Sequence, residues 1–190
     1  MKEKFIEYVG NLADFLMPSH CFACSRAVEK GAVICEECYK QIEKTEEKSC
    51  DKCGRSIKTC DCNKYIYHFS GITAPFVNKG IAQKGLYGLK FASDKASAKF
   101  YVQHMVDRLE SVDTLTDFSC VTFVPMSFLR KIRRGFNQAE ILAEGVGKIL
   151  NIPIRNDLLR RSLISSVQHK NDNLSQRFEN AFKSYHRTKA

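Results

Sequence analysis

Eight of the nine cysteines in this 190-residue chain lie between residues 21 and 62, in two groups of four. Three of the four pairs are Cys-x2-Cys turns, and the last pair is the closer Cys60-x-Cys62. A Cys-x2-Cys turn puts two sulfurs about one tetrahedral edge apart, so two facing turns complete a four-cysteine zinc site. The spacing predicts two zinc sites, with the ligands Cys21, Cys24, Cys35 and Cys38 in the first and Cys50, Cys53, Cys60 and Cys62 in the second.

Free thiols and disulfides are the alternatives to metal binding. Free or buried thiols do not account for four short-spaced pairs, and disulfides need an oxidising compartment. The Cys60-x-Cys62 pair departs from the usual two-residue gap, which leaves open whether the second site is fully formed. His20 adjoins Cys21 and is an alternative ligand, although four cysteines already complete the first site.

Both zinc sites are expected to be structural, because four thiolates leave no coordination position open for water or substrate. Residues 19–62 contain few large aliphatic side chains, too few to stabilise a fold of this size without a metal. Zinc binding is therefore expected to supply folding energy. Gly54 directly follows Cys53, which suits a tight turn with positive φ.

The first 18 residues predict an amphipathic helix that ends at Pro18. Glu3, Glu7 and Asp14 interrupt the continuous apolar stretch that a signal peptide needs. No run in the chain approaches the roughly 18 apolar residues of a membrane-spanning helix. We therefore expect a cytoplasmic protein without a transmembrane segment, in a reducing compartment.

Beyond residue 66 the pattern changes to alternating strands and helices, which favours an α/β fold. A strand or hairpin arm stopped by Pro75 is predicted over Tyr67–Ala74, and helices over residues 81–90 and 96–109. The apolar, β-branched run Cys120–Val124 is typical of a buried parallel strand stopped by a proline. The ninth cysteine, Cys120, is interpreted as a small buried hydrophobic residue of that strand.

A basic segment follows this strand, and it is predicted as a loop that leads into a helix capped by Asn137. The inner face of that helix is predicted to consist of Leu142, Ala143, Val146, Ile149 and Leu150. Ligands of open α/β sheets bind at the carboxyl ends of strands, and guanidinium groups engage multi-oxygen anions with two donors at once. The segment is thus a candidate pyrophosphate or anion site, although a merely solvated basic loop has the same composition. Its candidate residues are Arg130, Lys131, Arg133, Arg134 and Gly135.

The formal net charge of +9 is unevenly distributed along the chain. Residues 1–62 hold ten Lys and Arg against eleven Asp and Glu, whereas residues 63–190 hold twenty against ten. Eight zinc-bound thiolates and two Zn²⁺ ions make the first region more negative still. An anion-binding surface is therefore expected in the second region alone.

Several motifs resemble the ComF (ComFC) family of competence-associated proteins, which join a zinc ribbon to a type I phosphoribosyltransferase-like domain. The resemblance begins with a helix ending in Phe-Leu-Met-Pro before the two cysteine groups, and it continues through Leu89-Lys90-Phe91 to Val124-Pro125. It is most specific at Arg133-Arg134-Gly135-Phe136-Asn137-Gln138. Its last matching positions are Gln168, Leu174, Arg177, Asn180, Ala181 and Phe182.

The resemblance implies a double zinc ribbon over residues 1–66 and a phosphoribosyltransferase-like domain over residues 67–190. In the family, a strand ending in two acidic residues and a Thr-Thr-Gly loop follows the position of Phe182, whereas only Lys183–Ala190 follow here. The resemblance therefore implies a shortened member whose second domain is incomplete before the phosphoribosyl pyrophosphate loop. Whether such a chain is an enzyme stays open, and no catalytic residue is assigned.

Three functions follow as expectations. The first is a ComF-like role in natural competence, in which the chain assists DNA uptake by binding single-stranded DNA or a helicase partner. Its support is a basic surface with interleaved aromatic residues. The second is a phosphoribosyl pyrophosphate-dependent transferase. Mg²⁺ is expected as a cofactor of this chain only if the chain binds phosphoribosyl pyrophosphate. The third is a zinc-stabilised chain with no activity of its own. The aromatic candidates are Phe128, Phe136, Phe178, Phe182 and Tyr185.

Overall fold

The computed structural model describes residues 19–45, 49–50, 52–62, 69–91, 95–112, 118–162 and 174–188. The predicted N-terminal helix and Gln168 lie outside these residues. The chain divides into two compact units, Met1–Phe100 with Asp107–Leu109 and Tyr101–Val106 with Glu110–Ala190. The predicted domain boundary between residues 66 and 67 stays a prediction. No helix among the described residues has both the length and the apolar character needed to cross a membrane.

The first unit is built from short elements around the cysteines and from helices that follow them. Helix α1 spans Glu36–Lys40, and a single 3₁₀ turn spans Ile57–Thr59. Helix α2 spans Gly80–Phe91, and helix α3 spans Lys95–Glu110, part of which belongs to the second unit. Both long helices were predicted within one residue of these bounds, because apolar residues recur at helical spacing.

An aromatic cluster around Phe100 and a small cysteine-lined core pack the first unit. The Phe100 ring stacks on Phe76 at 5.7 Å and meets the rings of Phe22 and Tyr39 edge-on at 5.9 and 6.0 Å. Aromatic pairs at such distances stabilise beyond their buried area alone. The core beside the first cysteine group contains Cys21, Ala23 and Cys38, with Phe22, Val28, Ile34, Cys35 and Ile81 packed against it.

The predicted strand over Tyr67–Ala74 is wrong for its described part, since residues 69–74 form no strand. Backbone pairing occurs further along, where Lys44 and Phe76 form an isolated antiparallel bridge. Thr45 donates its backbone N–H to the Pro75 carbonyl, and its hydroxyl donates to the Ala74 carbonyl. Residues 43–45 therefore pair with residues 75–77, and the composition of residues 43–45 did not predict this pairing.

The second unit contains the remaining elements. Helix α4 spans Phe128–Arg134, α5 spans Gln138–Leu150, and α6 spans Leu174–Ser184. Strand β1, Leu159–Arg161, pairs antiparallel with β2, Tyr185–Arg187, so that Arg160 lies opposite His186. The described part of the chain thus mixes helix and strand, and its only named sheet has two strands.

The predicted buried strand Cys120–Val124 is reduced to one parallel bridge between Val121 and Ile154. Val121 donates to the Pro153 carbonyl and accepts from Arg155, but the ladder goes no further. Proline has no N–H, so Pro153 cannot extend the ladder toward the start of this run. Val124 is 55% exposed, and Cys120 is only partly buried, contrary to the expectation for a core strand.

Helix α5 shares the core of the second unit with residues 101–106 of α3. Ala143 and Val146 are buried as predicted, whereas Ile149 is exposed, which corrects the predicted inner face. Gly147 allows the backbone of Ile152 to pass close, since a Cβ at Gly147 would stand 2.9 Å from the Ile152 carbonyl oxygen. Val102 and Val106 of α3 are also buried in this unit.

Candidate functional site

The eight cysteines form two clusters, each with four sulfur atoms within 4.8 Å of one another. Across the first cluster, the sulfurs of Cys24 and Cys35 lie 3.7 Å apart. In the second cluster, Cys50 and Cys62 are separated by 3.6 Å, and Cys53 and Cys60 by 3.8 Å. Zn–S bonds of about 2.3 Å in a tetrahedron place neighbouring sulfurs about 3.8 Å apart. Both clusters therefore have the dimensions of a four-thiolate zinc site.

Each cluster combines a tight turn with a second pair of cysteines. In the first cluster, Cys35 is the N-cap residue of α1 and Cys38 lies in its first turn, three positions along, so both sulfurs share one face. In the second cluster, the 3₁₀ turn Ile57–Thr59 leads directly to Cys60. The four sulfurs of the second cluster converge despite the shorter spacing between Cys60 and Cys62.

The tight turns require a left-handed residue directly after the second cysteine. Gly54 has φ 68°, as predicted, and a Cβ there would stand 2.8 Å from the Ile72 carbonyl oxygen. Ser25 occupies the corresponding position in the first cluster with φ 61°. Serine at this position pays a steric cost that glycine does not.

The electrostatics of the clusters favour a bound cation. Burial raises the pKa of Cys21, but backbone N–H groups, that of Cys35 foremost, lower it overall to about 6. Burial raises the pKa of Cys38 to about 12. In the second cluster, backbone N–H groups, that of Cys53 foremost, lower the pKa of Cys50 to about 6, while the hydrogen bond with Cys53 raises that of Cys62. Each cluster thus contains one thiol whose pKa is lowered and one whose pKa is raised, and a bound cation would favour the thiolate form of all four.

A double zinc ribbon is the arrangement that these two four-sulfur clusters form. Residues 12–66 match the double zinc ribbon domain family. Four cysteines per site leave no open position, so the two zinc ions of this ribbon are structural and not catalytic. No curated protein and no solved structure matches the chain.

The predicted anion-binding residues lie on a helix and not in a loop. Arg130, Lys131, Arg133 and Arg134 all belong to α4, which Gly135 ends with φ 78°. The N–H of Gly135 donates to the Lys131 carbonyl, so the glycine closes the helix in the left-handed conformation. The segment was predicted as a loop. It is instead a short helix that ends at Gly135.

The charges on α4 are close to one another. Burial, followed by repulsion from Arg130 and Arg133, lowers the pKa of Arg134. The ammonium group of Lys131 forms an ion pair with Glu140 at 3.1 Å. The three arginines therefore form the part of the segment best suited to an anion, whose binding would offset their mutual repulsion.

Asn137 caps α5, as predicted from the sequence. Its side-chain oxygen accepts from the N–H of Ala139 at 3.2 Å, and its side-chain amide donates to the Val124 carbonyl at 3.1 Å. The second bond ties the start of α5 to the end of the predicted strand. The basic helix α4 is thus held between two segments that this asparagine connects.

The aromatic candidates differ in exposure. Phe128 is 65% exposed and Phe182 is 78% exposed, whereas Phe136 is partly buried. Tyr185 lies under the guanidinium of Arg161, 5.3 Å from ring centroid to Cζ, and its hydroxyl accepts a hydrogen bond from Arg161. The side chain of Phe178 lies outside the described residues.

Four charged residues beside the zinc ligands were not singled out by the sequence analysis. Arg26 pairs with Glu37 at 2.9 Å in the first cluster, and Arg55 pairs with Asp61 at 2.8 Å in the second. A signal for the two arginines exists in the sequence, because Cys-x2-Cys-x-Arg occurs twice, at Cys21 and again at Cys50.

Proposed function

We propose that this chain is a ComF-like protein of natural competence that assists DNA uptake by binding single-stranded DNA or a helicase partner. The double zinc ribbon agrees with the N-terminal part of that family's architecture, and Arg133 to Gln138 carry its most specific motif. The phosphoribosyltransferase-like nature of residues 67–190 is part of this proposal. The observation that carries it is the mixed apolar and basic surface of α4.

This surface, the α4 face, consists of Phe128, Leu129, Ile132 and Arg133, and Arg130 lies next to Arg133 on the adjoining side of the helix. The three apolar side chains are 65%, 78% and 65% exposed, respectively. Ile132 follows Phe128 by four positions and Leu129 by three, so the three side chains are neighbours on the helix. Large apolar side chains grouped at a surface mark an interaction site more often than scattered ones do.

The cations of the α4 face indicate the chemistry of its ligand. Burial lowers the pKa of Arg134 most, and repulsion from Arg130 and Arg133 lowers it further, which indicates a local concentration of positive charge. Single-stranded nucleic acid combines a phosphate backbone with bases whose faces stack on aromatic rings. Phe128 supplies such a ring on the same short helix as the arginines.

The distribution of charge over the chain supports the same region. Residues 63–190 hold twenty Lys and Arg against ten Asp and Glu, whereas the ribbon region has no excess of cations. A polyanion is therefore attracted to the second region, and the ribbon is left with a structural role.

The test is fluorescence anisotropy of a labelled oligothymidylate with the full zinc-loaded chain over a series of salt concentrations. The affinity should fall steeply with salt, and R130Q/R133Q should reduce the slope of log K against log salt by about 1 to 2. F128A should weaken binding about fivefold to a hundredfold with little change in slope, since each stacked base contributes about 1–3 kcal/mol. Phe118, which is 43% exposed and lies outside α4, provides the matched control F118A. No shift of the oligonucleotide at low salt would contradict nucleic-acid binding.

A phosphoribosyl pyrophosphate-dependent transferase is the second candidate, supported by the cluster of three arginines on α4. Forked guanidinium donors suit the oxygens of pyrophosphate. Isothermal titration of pyrophosphate, and separately of phosphoribosyl pyrophosphate with Mg²⁺, tests it directly. Heat that R133Q abolishes supports this candidate, and no heat at millimolar ligand rejects it.

A further inference from the structure

The turns that open the two zinc clusters repeat one local structure 29 residues apart. The N–H of Cys21 donates to the Arg26 carbonyl at 2.8 Å, and the N–H of Cys50 donates to the Arg55 carbonyl at 2.7 Å. The left-handed residue of each turn returns a bond of 2.8 Å to the carbonyl of the first cysteine. An isolated antiparallel bridge flanks each turn, His20 with Ala27 and Ser49 with Ser56.

The arginine that ends each turn reaches across its cluster to an acidic residue. Arg26 Nη1 lies 2.9 Å from Glu37 Oε2, and Arg55 Nη1 lies 2.8 Å from Asp61 Oδ1. Glu37 directly precedes the ligand Cys38, and Asp61 stands between two ligands. Each ion pair therefore connects the first ligand pair of a cluster to the second without passing through the metal.

The negative charge of each cluster favours a cation beside it. Four thiolates around Zn²⁺ carry a formal charge of −2, and an acidic residue within the second pair adds to it. The guanidinium of Arg26 lies within electrostatic reach of the sulfurs of Cys24 and Cys35 as well as of Glu37. A cation at this place offsets both the thiolates and the carboxylate.

Fold stability alone does not account for the repeat. The side chains of Arg26 and Glu37 are 64% and 65% exposed, those of Arg55 and Asp61 are 57% and 32% exposed, and ion pairs near the surface contribute little to stability. The shared feature of the two pairs is their place beside the ligands, since the rest of the two turns differs in sequence apart from the cysteines.

We propose that Arg26 and Arg55 are positioning residues of the two zinc centres, each of which holds the second ligand pair against the first and slows the loss of metal. Release of zinc from a closed four-thiolate site requires thiolates to separate from the metal, and movement of one ligand pair away from the other separates two at once. The ion pair opposes that movement, because it must break as the pairs separate. Partners just outside the ligands typically change metal affinity by about 10- to 100-fold.

The experiment measures zinc release from the full chain to an excess of a chromogenic chelator. R26A is expected to accelerate release of one of the two zinc ions about tenfold and to leave the other rate unchanged, and R55A should do the same for the second ion. R26K and R55K, which keep the charge but lose the forked donors, should lie between. Lys52 is an exposed cation of the second turn for which the described residues provide no ion pair, so K52A serves as the control.

Salt separates this role from a merely structural one. At about 1 M salt, where the screening length falls to about 3 Å, the difference between R26A and the unsubstituted chain should shrink. Wild-type release rates in both alanine variants would overturn the proposal, and so would equal acceleration by K52A. Zinc content measured before chelation identifies any variant that fails to fold. If an alanine variant fails to fold, the release rate of the lysine variant at the same position tests the proposal in its place.

Discussion

Val102 occupies the space that a side chain at Gly145 would need. A Cβ at Gly145 of α5 would stand 2.5 Å from Val102 Cγ2 and 2.9 Å from Val102 Cγ1. Val102 is 5% exposed and β-branched, so its side chain has little freedom to move away. The close approach of α3 and α5 therefore depends on glycine at position 145.

Substitution of this glycine by alanine should destabilise the protein. Alanine gains about 1 kcal/mol in helix propensity, but overpacking of a tight contact costs about 1–3 kcal/mol, so G145A should lose up to about 2 kcal/mol in thermal or urea unfolding. G88A in α2 is the matched control, because a Cβ there meets nothing within 4 Å, and it should be neutral or slightly stabilising. The double variant V102A/G145A should show strong coupling. Additive effects would show that the two residues are not in contact.

Metal content provides a direct count of the zinc centres. Elemental analysis of the purified chain should return about two zinc ions, one for each cluster. C38S should reduce the count to one, whereas C120S, which lies outside both clusters, should leave it at two. A full chain with no zinc would contradict the assignment of both clusters.

Removal of zinc should open the local structure around both clusters. The amides of Cys21 and Cys50 donate hydrogen bonds within the two turns, so their hydrogen exchange should be slow with metal and fast after chelation. Hydrogen-exchange mass spectrometry over residues 19–62 measures this change. Protection that persists after complete removal of zinc would show that the ribbon folds without metal.

The stability of the protein at alkaline pH should depend on Tyr101. Burial raises the pKa of this phenol to about 12, and the side chain is 3% exposed. Because the folded pKa lies above the value of about 10 in an unfolded chain, the contribution to stability is complete below pH 10 and is lost as the pH rises toward 12. Spectrophotometric titration should show a late-ionising tyrosine that Y101F removes. Y101F should also reduce the loss of stability between pH 10 and 12.

The side chain of Asn137, the N-cap residue of α5, should contribute more to stability than that of Ser127, the N-cap residue of α4. N137A removes the acceptor for Ala139 and the donor to Val124 from a residue that is 5% exposed, so it should cost about 1–2 kcal/mol. S127A is the control, since Ser127 makes no side-chain hydrogen bond as the N-cap of α4, and its effect should stay within about 0.5 kcal/mol. Equal losses in the two variants would contradict the capping role.

The zinc ligands and the cap of α5 could be predicted because both depend on short spacings. Cys21 and Cys24 are close in space whenever the intervening turn forms, and Asn137 reaches Ala139 within one turn. The prediction of a buried strand over Cys120–Val124 was wrong. A strand needs a partner elsewhere in the chain, and short spacings do not identify it. Sequence alone did not reveal that this partner includes Pro153, which limits the pairing.

The sequence by itself determined the two four-cysteine sites, the two long helices α2 and α3 and the excess of cations after residue 62. These features follow from spacing, periodicity and charge, which act over a few residues. Only the tertiary structure decided that Arg26 forms an ion pair with Glu37, that Val102 packs against Gly145 and that the apolar side chains of α4 face solvent. The physical reason is that each of these depends on which distant segment fills the adjacent space, and the local sequence does not specify that segment.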